Sequence, residues 1–355
     1  LLFWAILLGT SLAAAAILGE AMARWRERHR SSPPGTMGTL FYLHRRLLPM
    51  PVHNRDYFGW VHIDSLGLRG RDVALRKPDG TTRIVADGGS TTFDTAVSSD
   101  DSTWAAQLER ALRTAGKNVQ VLNAGVPGHT VLDNLIRLQI DLFRLEPDVL
   151  LIQQGHNDLY GALLDGRVVR HTNTPGELQP AAPWTYWLAR NSVLYGQLMA
   201  AWRAWTGQVR GDRALPEGDH TLPLDSALLL GEQSFERNLT AYVLSARAMG
   251  IRVVLMEPVH SSVGARPGSP VDSVAYRNAY PAVPVETILE GYRRYRDVIR
   301  RVAAATGADF IATDAFGLGD PALYDSADPV HLRDAGSRIL GERLADALTA
   351  QGIIP

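Results

Sequence analysis

Residues 82–92 read TRIVADGGSTT, an apolar run that stops at two glycines followed by a cluster of hydroxyls. A short run of this kind, closed by turn residues, is the pattern of a strand buried on both faces, with Ser90 at a strand-to-helix turn. The pattern repeats outward from it. TWAAQLERALRTAG (103–116) has the spacing of an amphipathic helix ending at Gly116, and VQVLNAG (119–125) reads as a second strand. A helix over roughly 130–145 closes at Glu146-Pro147, and DVLLIQQG (148–155) is a third strand. Helices near 233–249 and 286–306 lead into the strands IRVVLMEP (251–258) and ADFIATD (308–314), and a last helix covers about 333–350. Five apolar strands separated by helices predict a three-layer α/β/α domain around a five-stranded parallel sheet.

Composition narrows the function classes. The chain has 355 residues, a formal net charge of −1 and no cysteine. A near-neutral balance argues against a nucleic-acid partner, which needs a basic surface to release phosphate counterions. The missing cysteines exclude disulfides, thiol catalysis and Cys-ligated metals. Of 36 basic residues only Lys77 and Lys117 are lysine; the arginines are spread along the whole chain and carry no functional reading.

Residues 1–19, LLFWAILLGTSLAAAAILG, carry no charge and no proline. As a helix they span roughly 28 Å, near the hydrocarbon thickness of a bilayer. Trp25 and the arginines at 24, 26, 28 and 30 follow as interfacial anchors do. Of a buried core helix, a cleaved signal peptide and a single transmembrane anchor, we read the anchor, with membrane lipid as its partner. SSPPGTM (31–37) breaks the chain after it, so the expected organisation is an anchor and basic flank over 1–30, a linker and lead-in over 31–80, and the α/β/α domain over 81–355.

Two stretches depart from the alternation, 160–232 and 261–285, and are expected as excursions from the strand ends. The first holds Trp184, Trp187, Trp202 and Trp205, half of the eight tryptophans, with Leu194, Leu198 and Ala201 on the face of the last two. It reads either as a lid helix packed on its own domain or as a surface for a partner, an acyl substrate or the membrane interface.

Chemistry in a parallel α/β sheet sits just past the carboxyl ends of the strands. Strand one delivers Gly88-Gly89-Ser90 there, strand two Asn123-Ala124-Gly125-Val126-Pro127-Gly128, and strand three Gly155-His156-Asn157-Asp158. A glycine N–H and an asparagine amide at neighbouring strand ends can point at one anionic oxygen. Asp328-Pro329-Val330-His331 follows the last strand, where a histidine can act as general base with a carboxylate three residues earlier fixing its tautomer. GGS lacks the lysine of a P-loop and the further glycines of a dinucleotide fingerprint, so a phosphate loop is disfavoured. His129 and His156 lie in turns near the inferred pocket, where a substrate contact is open, but without a second ligand at metal-site spacing they read as turn or supporting residues; His260, just past strand four, is ambiguous in the same way, and neither metal nor cofactor is expected.

In this order and spacing GGSTT, NAGVPG, GHND and DPVH resemble the blocks of the SGNH (GDSL-type) hydrolases, over roughly 80–158 and 250–350. The SLGLRG lead-in and the N-terminal anchor are similar to the membrane-anchored members. The resemblance implies Ser90 as nucleophile, His331 as base and Asp328 orienting it. It also implies an oxyanion hole made of the Ser90 and Gly128 backbone N–H groups and the Asn157 side chain. By the same resemblance the soluble domain is expected on the extracytoplasmic, periplasmic side, although the arginine run taken alone favours the opposite orientation. Three positions depart from the pattern: Gly89 replaces the aspartate of GDS, Asp94 stands where a glycine is usual, and Asp87 ends a strand where an apolar residue is expected. The two acidic groups flanking Ser90 are expected to distort the turn or disfavour an anionic intermediate.

Two functional readings result. One is a membrane-tethered serine ester hydrolase, acting on an acyl or acetyl ester through an acyl-enzyme resolved by water or an acceptor alcohol. The other is an accessory subunit of a membrane assembly, gripped by neighbouring subunits through the anchor and the aromatic segment 184–205, with idle or secondary catalysis.

Overall fold

The computed structural model describes residues 2–28, 41–43, 49–51, 55–57, 59–165, 188, 192–206, 223–263, 273–280, 283–325 and 328–354. In chain order the elements begin with α1 (Leu2–Arg28), β1 (Phe41–Leu43), β2 (Pro49–Pro51), β3 (Arg55–Tyr57) and β4 (Val61–Ile63). The central unit continues through β5 (Thr82–Gly88), α2 (Ser90–Phe93), α3 (Trp104–Thr114), β6 (Val119–Asn123), α4 (Val131–Ile140), β7 (Val149–Gln153) and α5 (His156–Tyr160). It is completed by α6 (Val193–Thr206), α7 (Leu224–Ala248), β8 (Arg252–Met256), α8 (Ser273–Ala279), α9 (Val285–Thr306), β9 (Asp309–Ile311) and α10 (Asp334–Ala350).

The five strands form one parallel sheet in the order β6-β5-β7-β8-β9. Successive residues of each strand face opposite sides, so each strand feeds two cores. Val85, Leu150, Ile152, Val253 and Leu255 pack with Leu138, Leu239, Tyr242 and Val298 of α4, α7 and α9. On the other face Ile84, Ala86, Leu151 and Val254 meet Trp104, Leu108, Leu340 and Leu344 of α3 and α10. That double burial is why the strands read as unbroken apolar runs. With the first strand between the second and third, the order in which strands are added reverses between β5 and β7, and the crevice beyond their carboxyl ends is the natural site.

The structure moves several boundaries. The helix expected from 233 begins at Leu224, which shortens the first excursion, and the second excursion contains α8. The lead-in is more than a linker. β4 turns back so that Ile63 bridges Arg69, and Arg69 N donates to Asn123 O at 3.0 Å, fastening residues 61–70 to the sheet edge at β6. Three-residue strands carry too little periodicity to be read from sequence. The SSPPGTM break, Trp184 and Trp187 lie outside the described residues, as does the side chain of Trp205.

α1 is one 27-residue helix. Among the described residues no helix is long and apolar enough to cross a membrane; the side chains of residues 1–7, part of the uncharged stretch, lie outside the described set. Glu20 of α1 accepts from Ser192 Oγ at 2.7 Å and from the Val193 and Leu194 N–H groups at 2.9 and 3.0 Å. It thereby caps the N-terminus of α6 and fastens the two helices together.

Candidate active site

β5 ends at Gly88, Gly89 leads out of it, and Ser90 opens the one-turn helix α2. The turn closes through Phe93 N to Gly89 O at 2.9 Å and Asp94 N to Ser90 O at 2.8 Å. Only a glycine fits at 125, where a Cβ would come within 2.1 Å of Phe93 N, so the β6 end presses directly on the back of α2.

His331 Nε2 lies 2.8 Å from Ser90 Oγ, across 241 residues of chain, and its Nδ1 lies 2.8 Å from Asp328 Oδ2. Asp328 Oδ1 accepts the Val330 and His331 backbone N–H groups at 2.8 and 3.1 Å, which fixes the carboxylate beneath the ring. Burial pushes Asp328 up, but the His331 charge, its hydrogen bond and those backbone donors outweigh it and hold the carboxyl down at about 2. For His331 burial favours the neutral ring, yet Asp328, with Asp94 and Asp325 further off, raises its pKa above the ordinary histidine value. An ionised Asp328 accepting from Nδ1–H leaves Nε2 as an acceptor facing the serine hydroxyl.

Asn157 sits in the first turn of α5, and its Nδ2 donates to His129 O at 2.9 Å. That bond sets the amide rotamer, and an amide nitrogen carries a second N–H. A Cβ at residue 89 would lie 2.5 Å from the same Nδ2, so the Gly89 backbone and the Asn157 amide are in close apposition beside Ser90. Gly128 lies in the adjoining turn with φ +84°, between Val126, whose N–H donates to Gly88 O at 3.0 Å, and His129. The residues read from sequence as nucleophile, base, orienting acid and oxyanion donors thus gather at the carboxyl ends of β5, β6 and β7.

The other three histidines named from the sequence each meet a defined partner. His129 Nδ1 is 3.0 Å from Asn134 Oδ1, a buried turn contact. His156 Nδ1 is 3.0 Å from Tyr292 OH, and burial, then the neighbouring His331, lowers its pKa to about 3. His260 Nδ1 lies 2.7 Å from Tyr276 OH, and the ring stacks on Tyr292. Burial lowers the pKa of the His260 ring as well, and His156 stands next to the Asp328–His331 pair. Among the described residues no group of three His, Cys, Asp or Glu side chains is placed to hold a metal ion.

The structure shows what holds the two acidic groups that flank the nucleophile turn. Asp87 is buried, accepts from the Tyr242 hydroxyl, and has Arg137 Nη1 3.7 Å from its other oxygen. Asp94 sits at the end of α2 with φ +71°; its Oδ2 accepts from Trp104 N at 2.7 Å and its Oδ1 from Ser337 Oγ at 3.0 Å. Burial pushes Asp87 up to about 6 and Asp94 up to about 7. Both carboxyls are engaged by fold contacts. Sequence reading missed the partners Arg69, Arg137, Tyr242 and Ser337. Only Arg137 left a signal, an arginine three and four residues from Asn134 and Asp133 on the buried face of α4.

A family model described as the GDSL-like lipase/acylhydrolase family matches residues 86–339. No curated protein matches the chain. Among solved structures it is similar to an alpha/beta hydrolase enzyme from the metagenome of Lake Arreo, Spain (18% identity, 76% of this chain and 95% of that one, TM-score 0.44). It is also similar to an acetylxylan esterase from Geobacillus stearothermophilus (17%, 75% and 93%, 0.44) and to the lipase/acylhydrolase from Enterococcus faecalis (19%, 76% and 96%, 0.44).

Proposed function

The chain belongs to the GDSL-like lipase/acylhydrolase family, and on that premise we propose that it is a serine ester hydrolase working through an acyl-enzyme on Ser90. The observation that carries the proposal is the continuous hydrogen-bonded line Ser90 Oγ–His331–Asp328, with both links at 2.8 Å. His331 Nε2 takes the hydroxyl proton as Ser90 Oγ attacks the ester carbonyl. The oxyanion develops against the Ser90 N–H, the Gly128 N–H and the second N–H of Asn157. Donors fixed in place before the reaction each contribute about 3–4 kcal/mol of barrier lowering in comparable sites. His331 then protonates the leaving alkoxide, and water, or an acceptor alcohol in a transfer reaction, resolves the acyl-enzyme with the same histidine as base. The substrate class is an acyl ester, acetyl or longer. A fluorophosphonate probe tests the proposal: folded wild type should be labelled and Ser90→Ala should not. A folded wild type that stays unlabelled sinks it and leaves the reading of an accessory subunit with idle catalysis.

Residues 1–19 are proposed as a membrane attachment, with the soluble domain on the extracytoplasmic side. What supports this is a run of large apolar side chains facing outward from α1, with Leu8 62%, Ile17 70% and Leu18 70% exposed, followed by Arg24 and Arg26. Flotation with lipid vesicles checks the attachment, and protease protection in sealed vesicles the side.

A further inference from the structure

The turn that carries Ser90 is held from behind by a residue outside the family-matched span of 86–339. Asp64, fully buried, accepts the Leu66 and Leu68 N–H groups on one oxygen, both at 2.8 Å, and folds the lead-in back on β4. The fold-back places Arg69 under α2 with its side chain 1% exposed. Its Nη1 donates to Phe93 O at 2.9 Å and to Asp94 O at 2.8 Å, the last carbonyls of α2, and its guanidinium lies 4.9 Å from the centre of the Phe93 ring. Asp100 Oδ1 takes Nε at 2.7 Å while Asp100 Oδ2 accepts from His62 N at 2.8 Å, so the guanidinium is itself clamped.

Three consequences meet at Ser90. A one-turn helix has almost no stability of its own, and its end carbonyls need partners from elsewhere. Asp94 stands in the left-handed region, disfavoured for a residue with a Cβ, and the bond to its carbonyl helps hold it there. The Asp94 side chain binds Ser337 in the first turn of α10, the helix that begins three residues after His331. Nucleophile turn and base-bearing segment are thus tied to one braced point.

We propose that Arg69 is a positioning residue for the nucleophile. It holds the C-terminal end of α2 so that Ser90 Oγ stays on His331 Nε2 and the Ser90 N–H stays aimed at the oxyanion. The lead-in over 61–70 is then part of the catalytic unit. The inference rests on Ser90 being the nucleophile.

The test measures kcat and KM for p-nitrophenyl acetate, and the rate of fluorophosphonate labelling, on the full chain. Arg69→Ala, Arg69→Lys and the control Arg71→Ala are compared; Arg71 lies on the same segment but pairs with Glu109. Misplacing a reacting group by about 1 Å costs on the order of 100-fold, so Arg69→Ala is expected to lose about 10- to 100-fold in kcat with KM within about twofold. Added guanidinium should restore about fivefold or more of the lost rate to Arg69→Ala and none to Ser90→Ala. Arg69→Lys keeps the charge without the fork, and should lose kcat while remaining folded by near-UV circular dichroism. A folded Arg69→Ala or Arg69→Lys with wild-type kcat overturns the proposal, as does a loss that guanidinium leaves unchanged. If wild type itself is unlabelled, the serine reading has failed; if only the Arg69 variants match wild type, that reading stands and the brace does not.

Discussion

At the scale of single residues the site makes opposite demands on two positions. His331 must be neutral to accept the Ser90 proton, yet Asp328 at 2.8 Å raises its pKa above the ordinary value of about 6.5. The rate should therefore rise with pH along an acid limb whose midpoint lies above that value. Asp328→Asn removes the anion that stabilises the imidazolium, so the midpoint should move to lower pH. The limiting rate should fall by on the order of 10⁴, because the ring is no longer held in the required tautomer. A kcat/KM–pH profile of both proteins checks the sign; an acid limb that stays in place would show that Asp328 does not set the histidine. Gly89 makes the other demand. A Cβ there reaches 2.5 Å from Asn157 Nδ2, the end of a side chain that can swing away. Gly89→Asp, which restores the GDS pattern, is thus expected to leave the melting temperature nearly unchanged. It should lower kcat by about 100-fold as the oxyanion donor is displaced. Wild-type kcat in a folded Gly89→Asp protein would remove Asn157 from the mechanism.

At the scale of elements, the link between β5 and α4 is a buried ion pair. Arg137 and Asp87 are both inaccessible, and Arg137 also donates to Ala124 O while Tyr242 of α7 donates to Asp87. Removing one partner of such a pair strands the other, so Arg137→Met should destabilise the protein by about 3–5 kcal/mol. Arg338→Met, which removes an exposed i,i+4 pair with Glu342, should cost about 0–1 kcal/mol. Urea unfolding of the two variants measures the contrast, and equal effects would show that the buried pair is not a fold determinant. The same pair shows where sequence reading stops. The strands were legible because they are buried between two layers of helices, and Ser90, Asn157, Asp328 and His331 because the blocks that hold them resemble those of a known family. What held Asp87 and Asp94 could not be read because a carboxylate reveals its partner only in three dimensions: Arg137 is 50 residues from Asp87, and Ser337 is 243 from Asp94. Arg69 escaped notice for the same reason, being delivered by a fold-back of three-residue strands with no periodicity.

At the scale of the whole molecule, the capping of α6 by Glu20 ties the uncharged N-terminal stretch to the aromatic excursion. A glutamate that follows 19 uncharged residues is costly near a bilayer unless its charge is satisfied, and here Ser192 Oγ, two backbone N–H groups and Arg24 satisfy it. α6 also exposes apolar side chains, Leu198 at 57% and Trp202 at 48%. If residues 1–19 engage lipid, α6 is carried to the interface with them. The absence of cysteine makes this directly measurable, because a single introduced thiol labels one site. Leu198→Cys and Leu12→Cys carrying an environment-sensitive fluorophore should both be quenched by brominated phosphatidylcholine in vesicles containing phosphatidylglycerol. Adding Glu20→Ala should relieve quenching at 198 and leave it at 12, since the cap is lost while the apolar stretch is intact. Quenching at neither site would remove the membrane attachment altogether. Quenching at 198 that survives Glu20→Ala would mean that α6 finds lipid on its own, and that Glu20 is only a local cap.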